Sequence, residues 1–367
     1  MENTVIDVEF QNVSKYYGKE KVVDEVNFRI NRGEIFVLIG PSGCGKTTTL
    51  KMINQLVPHS SGQIFVRGKN VTELDPVELR RSIGYVIQHI GLLPHLTIRD
   101  NVNFVLQLQR VPQKKQRERA NELIKMIGLP DSYLDRYPHE ISGGEQQRVG
   151  VARALAADPE ILLMDEPFGA VDPLTREQLQ NELLRLQKTI KKTMVFVTHD
   201  MQEAFKVGNR IGIMRRGQLV TMGTAMDIVN AKDDFVRAFI GREAVFSALD
   251  TIPVFQAIIR DCPVIHEGDA IDPADPRFKD WENVFVINQN GHCLGYVSLT
   301  DFKAHEKVTT EKLREITSPC LPSDSLKKAI GEMLWGKRAW LPVVTKEGNF
   351  EGIVSFQSCV SILALDD

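Results

Sequence analysis

The sequence predicts an α/β protein, a mainly parallel sheet interleaved with helices, followed by a smaller α+β unit. Three observations point there. Over the first 240 residues or so, short apolar runs such as Glu34–Ile39, Ile161–Met164 and Thr193–Val197 alternate with segments of helical period. That alternation builds parallel sheets with their sites at the strand C-termini. Each run stops at a glycine-rich or polar cluster: Gly40–Thr47, Asp165-Glu166-Pro167 and Thr198-His199-Asp200. Beyond Gly241 the charge balance changes, because residues 242–367 carry 13 Lys+Arg against 19 Asp+Glu and leave 32 and 29 for residues 1–241. A boundary near 241 is expected, with a nearly neutral first part and an acidic second.

In chain order, Val5–Val23 reads as strand, turn and strand, turning near Gly18-Lys19. Tyr17 stands just before the turn and serves either to stack on adenine or to pack the hairpin. Glu34–Ile39 reads as a buried strand and Thr48–Ile53 as a helix start. A strand Gln63–Arg67, a turn at Gly68-Lys69-Asn70, a short helix Pro76–Arg81 and a strand Ile83–Ile87 ending at Gln88 follow. Residues 89–103, with a Gly-Leu-Leu-Pro turn, lead to polar helices over about 101–127, so about 89–155 is expected to be a helical subdomain. Ile141–Arg148 opens a helix through Ala157, and an amphipathic helix Leu174–Lys188 precedes the strand Thr193–Val197.

The second part carries an internal repeat at an offset of 57: Val286, Gly291, Gly295, Val297 and Ser298 align with Val343, Gly348, Gly352, Val354 and Ser355. Each copy reads strand, glycine turn, strand and short helix. Two such units pack together because neither buries its apolar face alone. The expected division is 242–308 and 309–367. The first copy is worn, with the acidic, proline-containing stretch Asp261–Asp280 in place of a clear helix.

Composition excludes several classes. A chain that is 43% hydrophobic and 25% charged, with net charge −3, is of ordinary globular type. No basic excess or basic run argues for nucleic acid. The five cysteines (Cys44, Cys262, Cys293, Cys320, Cys359) are odd in number, scattered and never in C-x-x-C spacing. They suggest neither a disulfide framework nor a zinc site, and a reducing cytosol is expected. Acidic Met1–Asp7 is not expected to be a signal peptide. No stretch approaches the 18 or so apolar residues of a membrane span, so a membrane role would come through a partner.

The chemistry starts at Gly40-Pro41-Ser42-Gly43-Cys44-Gly45-Lys46-Thr47, which fits G-x-x-x-x-G-K-[ST], the phosphate-cradling P-loop. Glycines let backbone N–H groups curl around a phosphate, and the helix opening at Thr48 adds its positive end. Lys46 can reach the β- and γ-phosphates of ATP, and the Thr47 hydroxyl can ligate Mg²⁺. Cys44 reads as a small filler, with the expectation that its alkylation blocks ATP binding. Asp165, after an apolar strand, suits Mg²⁺, and Glu166 then faces the γ-phosphate as general base or water-orienting group. His199 is either a structural histidine at a strand end or a group that fixes the attacking water. Gln88 is either a surface amide or a Mg²⁺ or water ligand. Ser142-Gly143-Gly144 at a helix start is a second phosphate-binding surface, for which a single-site enzyme has no need.

The Walker A loop at 40–47, Gln88, Ile141-Ser142-Gly143-Gly144-Glu145, the Walker B strand at 161–166, Gly169-Ala170-Val171-Asp172 and His199 follow one another in a particular order and spacing. Over about residues 5–240 the chain thereby resembles an ABC-transporter ATPase. The resemblance implies that Tyr17 stacks on adenine, Gln88 is the Q-loop, Glu166 the catalytic base and His199 the switch histidine. It implies that Ser142–Glu145 contact nucleotide on the opposite subunit, in a head-to-tail homodimer enclosing two ATP. The signature is I-S-G-G-E rather than L-S-G-G-Q, and the D-loop reads G-A-V-D where S-A-L-D is commoner; both look like tolerated variants. The stretch 165–176 resembles bacterial importers, and the repeat at about 250–365 resembles a tandem CBS pair. A cassette with such a pair is similar to the ATPases of glycine betaine/carnitine/choline osmoprotectant uptake. That implies a membrane permease, reached through the loop at about 89–104, an extracytoplasmic substrate-binding component, and a place on the cytoplasmic face of the membrane. It also implies an adenine nucleotide, such as a cyclic dinucleotide, or an ionic signal at the C-terminal pair. There Trp340 with Arg338 presents either a ring and a cation to a nucleotide or simply core packing. An importer ATPase for another small solute such as an amino acid or betaine-like compound, a soluble ABC ATPase of repair or translation, and a nucleotide-sensing regulator with a degenerate cassette are the competing readings.

Overall fold

A computed structural model of the chain describes residues 5–88, 91–169, 171–316 and 318–362. It divides into two compact units, Met1–Ala244 and Val245–Asp367, a few residues past the expected 241.

The first unit begins with β1 (Ile6–Tyr17) and β2 (Glu20–Asn31), paired antiparallel about the Gly18-Lys19 turn. On β2, Val26, Phe28 and Ile30 are buried and alternate with exposed residues, the period-2 pattern of a sheet with one wet face. Then come β3 (Ile35–Ile39), α1 (Lys46–Ile53), β4 (Ser61–Val66), β5 (Lys69–Asn70), α2 (Pro76–Ser82) and β6 (Ile83–Val86). A helical stretch α3 (Ile98–Leu108), α4 (Gln113–Met126) and α5 (Gly143–Leu155) follows. The chain returns with β7 (Ile161–Asp165), α6 (Pro173–Ile190) and β8 (Thr193–Thr198). Beyond the strands foreseen lie α7 (Met201–Val207), β9 (Arg210–Arg215), β10 (Gln218–Gly223), α8 (Ala225–Val229) and α9 (Asp234–Ala248), the last interrupted at Gly241.

Two sheets result, ordered β2-β1-β4-β5 and β10-β9-β3-β8-β7-β6. The second is parallel except for its edge strand β10. Every residue of β3, β7 and β8 is buried, as expected where both faces of a parallel sheet are covered. One apolar core joins the two sheets. Phe10 stacks on Phe28 at 4.3 Å and Phe28 on Phe36 at 5.2 Å, a column of rings running from one sheet to the other. Among the described residues no helix is long and apolar enough to cross a membrane.

The second unit contains β11 (Val264–His266), β12 (Ala270–Ile271), β13 (Asn283–Ile287), β14 (Cys293–Ser298) and β15 (Glu306–Lys307). It continues with α10 (Leu326–Trp335), β16 (Trp340–Val344), β17 (Phe350–Ser355) and α11 (Phe356–Ser361). The hairpins β13–β14 and β16–β17 are the two copies of the repeat, and they meet symmetrically. The Cys293 N–H donates to the Gly348 carbonyl at 3.2 Å, and the Phe350 N–H to the Gly291 carbonyl at 3.0 Å. These pairs are each other's equivalents under the offset of 57, so a local two-fold relates the copies.

β11 pairs in parallel with β13 of its own copy, while single residues further ahead of each hairpin reach across to the other copy. Ile259, ahead of the first hairpin, trades backbone hydrogen bonds with Ile353 of the second at 2.8 and 3.1 Å. Arg314, ahead of the second, trades them with Tyr296 of the first at 2.9 and 3.1 Å. That exchange demands bare backbone: a Cβ on Gly295 would stand 2.6 Å from the Arg314 oxygen, and one on Gly352 2.5 Å from the Ile259 oxygen.

Gly352→Ala, which also strains a φ of +141°, should destabilise the second unit by roughly 2–4 kcal/mol. Urea unfolding followed by tryptophan fluorescence checks it, since all three tryptophans (Trp281, Trp335, Trp340) lie in this unit. The midpoint should fall while nucleotide binding by the first unit is unchanged.

Candidate functional site

The parallel strands place their C-terminal ends side by side. From β3 the loop 40–45 runs into α1, whose first turn holds no acidic residue to oppose an anion. Gly45 takes φ +102° where a Cβ would stand 2.6 Å from the Val22 oxygen on β2, so the loop lies directly on the antiparallel sheet. Pro41, Ser42 and Gly43 form an exposed crown. Lys46 is only 6% exposed, and its ammonium folds back to donate to the Gly40 and Pro41 carbonyls at 2.7 and 3.0 Å. Thr48 is half-buried on the first turn.

Thr47 donates its hydroxyl hydrogen to Asp165 Oδ1 at 2.9 Å, joining α1 to the end of β7. Asp165 is 3% exposed, and its other oxygen lies 3.4 Å from the Tyr85 hydroxyl of β6. Burial, and secondly the Asp165 charge, push the Tyr85 phenol well above its usual range, so it remains a donor. A hydroxyl and a buried carboxylate are hard oxygen donors of the kind Mg²⁺ takes together with water and phosphate oxygens. Among the described residues no cluster of three or more His, Cys, Asp or Glu forms a self-sufficient metal cage.

Glu166 adopts φ +45°, a left-handed conformation that costs a side-chain-bearing residue roughly 1–3 kcal/mol. Its N–H donates to the Val197 carbonyl of β8 at 2.9 Å, and its own carbonyl accepts from Gly169 at 3.2 Å. Oε2 of Glu166 receives the Gln88 amide at 3.0 Å and lies 3.2 Å from His199 Nδ1. One carboxylate oxygen thus gathers residues from the ends of β6, β7 and β8. Gln88 spends its amide nitrogen there, leaving its carbonyl oxygen for a metal or water.

Ser142 caps α5. The Glu145 carboxylate accepts from the Ser142 N–H and hydroxyl, both at 2.8 Å, and from the Tyr133 hydroxyl at 2.9 Å. The Ser142 N–H, above all, holds the Glu145 carboxyl below its ordinary value. Gly143 is exposed, and Gly144 lies so close to α6 that a Cβ would stand 2.7 Å from Thr175 Cγ2. No hydrogen bond or ion pair among the described residues joins Ser142–Glu145 to residues 40–48. Tyr17 is 50% exposed, so hairpin packing does not use up its ring; the Lys15 ammonium stands 5.0 Å from its centroid. His89 and Ala170, within the loop and D-loop expectations, lie outside the described residues.

Several partners had no sequence signal. Tyr85 and Tyr133 are ordinary strand and loop tyrosines until the fold brings them to Asp165 and Glu145. Arg176 pairs with Asp200 at 3.3 Å and donates to the Val171 carbonyl at 3.3 Å, linking the segment after Glu166 to the residue beside His199.

Cys44 lies beneath the exposed crown. Its side chain is 4% exposed and belongs to the core under the loop, so only its backbone faces the crown. Burial raises the thiol pKa against the opposing pull of Lys46, and thiolate is the reactive form. Alkylation of the native protein at neutral pH should therefore leave Cys44 largely unlabelled, at least about tenfold slower than in urea. Peptide mass spectrometry of both samples measures the ratio; rapid native labelling would contradict the burial.

The family described as ABC transporter matches residues 23–169. The choline transport ATP-binding protein OpuBA of Bacillus subtilis (strain 168) is 44% identical over 362 residues, covering 96% of this chain and 95% of that protein. The glycine betaine/carnitine/choline transport ATP-binding protein OpuCA of the same organism is 43% identical over 368 residues, covering 97% and 96%. A solved dimeric structure of the ATP-binding cassette MJ0796, in a post-hydrolysis state bound to ADP and Pi, is 36% identical with a TM-score of 0.54 over 59% of this chain and 98% of that one. Similarity on this scale along nearly the whole length means that the chain belongs to the ATP-binding subunits of the ABC importers for quaternary-amine osmoprotectants.

Proposed function

We propose that this chain powers uptake of a glycine betaine, carnitine or choline-type solute by closing as a head-to-tail homodimer on two ATP molecules and reopening on hydrolysis. The observation that carries the reading is the meeting of Gln88 and His199 on Glu166 Oε2, next to the Thr47–Asp165 pair. The loop N–H groups at 40–47 receive the phosphates, and Lys46 exchanges its two carbonyl partners for phosphate oxygens. Thr47, Asp165 and the Gln88 carbonyl would hold Mg²⁺, which supplies neutralisation of phosphate charge. Glu166 orients and deprotonates the attacking water, and His199 turns from Glu166 towards the γ-phosphate. Tyr17 stacks on adenine. The Ser142–Glu145 helix start, exposed at Ser142 and Gly143, serves the nucleotide of the opposite subunit, in keeping with the lack of any hydrogen bond or ion pair among the described residues joining it to residues 40–48 of its own chain.

The relatives' names supply the solute class, and transport requires a membrane permease and an extracytoplasmic binding component, so the chain works at the cytoplasmic face. The cross-paired repeats of the second unit support its reading as a tandem CBS pair, a regulatory appendage of the cassette.

Glu166→Gln should bind ATP with near wild-type affinity and form the nucleotide-held dimer, yet lose at least about 90% of turnover, in line with a general base worth roughly 10²–10⁴ in rate. Phosphate release and size-exclusion with ATP measure both; a variant retaining more than a tenth of the rate removes Glu166 from that role. Uptake of labelled glycine betaine, carnitine, choline and an amino-acid panel by the whole transporter, before and after osmotic upshift, tests the solute. Osmotically stimulated betaine-type uptake, lost in Glu166→Gln, is the expected result. Movement of an amino acid alone would assign another substrate.

A further inference from the structure

Within the second unit lies a cavity of about 200 Å³ walled by Asp280, Trp281, Glu282, Phe285 and Trp340, with Asn283 and Ile353 completing it. Its lining is chiefly of two kinds. Three are aromatic, and two of these are fixed by their neighbours. Phe285 meets Trp340 edge-on at 5.0 Å and stacks on Phe350 at 5.1 Å, while Tyr296 meets Trp340 at 5.0 Å and 90°. Two more are carboxylates, beside one amide and one aliphatic side chain. Asp280 and Glu282 are exposed, and among the described residues neither side chain has a hydrogen-bond or ion-pair partner. No Lys or Arg lines the cavity.

Aromatic faces attract a cation through their quadrupole, and the attraction is strongest for an ion that sheds water readily. A quaternary ammonium is such an ion: its methyl groups fill an apolar wall, and it makes no directional hydrogen bonds that Asp280 and Glu282 would have to satisfy. A nucleotide fits the same wall badly. Its phosphates would face two carboxylates, and Arg338, the cation expected to receive them, instead stands 6.0 Å from the Tyr296 ring and is not part of the lining. We propose that this cavity binds a quaternary ammonium cation of the choline class, making the second unit a sensor of the solute type that the transporter moves. The physiological occupant rests on the transport reading above; the site itself rests on its walls. A zwitterion such as glycine betaine brings its own carboxylate against Asp280 and Glu282, so the cavity favours cations without one.

Because two of the chain's three tryptophans line the cavity, intrinsic fluorescence of the full-length chain reads occupancy directly. Tetramethylammonium and choline should shift it saturably, with glycine betaine at least about tenfold weaker. Potassium chloride at matched ionic strength should give no saturable shift. Asp280→Asn with Glu282→Gln should weaken choline binding at least about fivefold while leaving the urea midpoint of the second unit unchanged. Trp335→Phe, which replaces a side chain that is 90% exposed and outside the wall, should keep the response. Loss of any saturable shift, an equal response to potassium chloride, wild-type affinity in the stable double variant, or displacement of choline by AMP would each overturn the proposal. The titration needs no permease, so a chain that binds choline but energises no betaine-type uptake would fail the transport reading alone, and the converse would fail the sensor alone.

Discussion

The peptide bond joining Asp165 to Glu166 is the constraint on which the ATP-side chemistry depends. The β7–β8 ladder runs to Asp165 opposite Val197, and the Glu166 N–H then takes the Val197 carbonyl as well. Glu166 therefore remains attached to the sheet while its φ of +45° turns the chain out of the strand. Two adjacent carboxylates are thereby sent to different partners, Asp165 to a hydroxyl on α1 and Glu166 to the ends of the neighbouring strands. Without the second tie to β8, the chain would have no reason to tolerate a left-handed glutamate, and the two acids would compete for one place.

The same end of the sheet is wired into the helical layer. Gln88, bonded to Glu166, lies just past the end of β6. Beyond it, the Arg153 guanidinium of α5 donates to the Gly91 carbonyl at 2.6 Å. Asn101, fully buried on α3, donates to the Leu93, Leu96 and Thr97 carbonyls and accepts from the Leu93 N–H. A side chain with that many backbone partners makes residues 93–97 move with α3 as one piece. The helical layer thus holds the chain at Gly91, three residues beyond Gln88.

What was legible in the sequence was what local physics dictates. β3, β7 and β8 are continuous apolar runs because both faces of a parallel sheet are buried, and the 40–47 loop advertises itself through glycines that no other residue can replace. The repeat at an offset of 57 was legible because each copy needs the same glycines at the same turns. What stayed hidden depends on distant pairing. Tyr85 and Asp165 are 80 residues apart, and nothing local marks either for the other. β9 was missed because Gly212 and its charged ends blur the apolar run; it is a strand because it pairs with β3 and packs under Phe36 and Leu38. The direction of Cys44 was equally hidden, since its motif position accepts any residue. At Trp340 the sequence offered the nearby Arg338 as a partner, whereas the aromatic and acidic groups that share its cavity, Asp280, Trp281, Glu282 and Phe285, come from the other copy of the repeat.

The backbone pairing across the two copies in the second unit also bears on how its halves can evolve. Each hairpin also takes a backbone partner from the segment ahead of the other half's hairpin, so each half helps to hold its twin. Selection then acts on the pair, and one half can let its sequence drift as long as it still offers a docking edge. The first half has no counterpart to α10, only the short β12 and a single turn at Pro276–Phe278, yet it keeps the register with its neighbour. The half freed from maintaining a symmetrical twin is the one whose Asp280 and Glu282 stand unpaired beside Trp340. Mutual dependence in such a pair becomes a licence for one member to specialise.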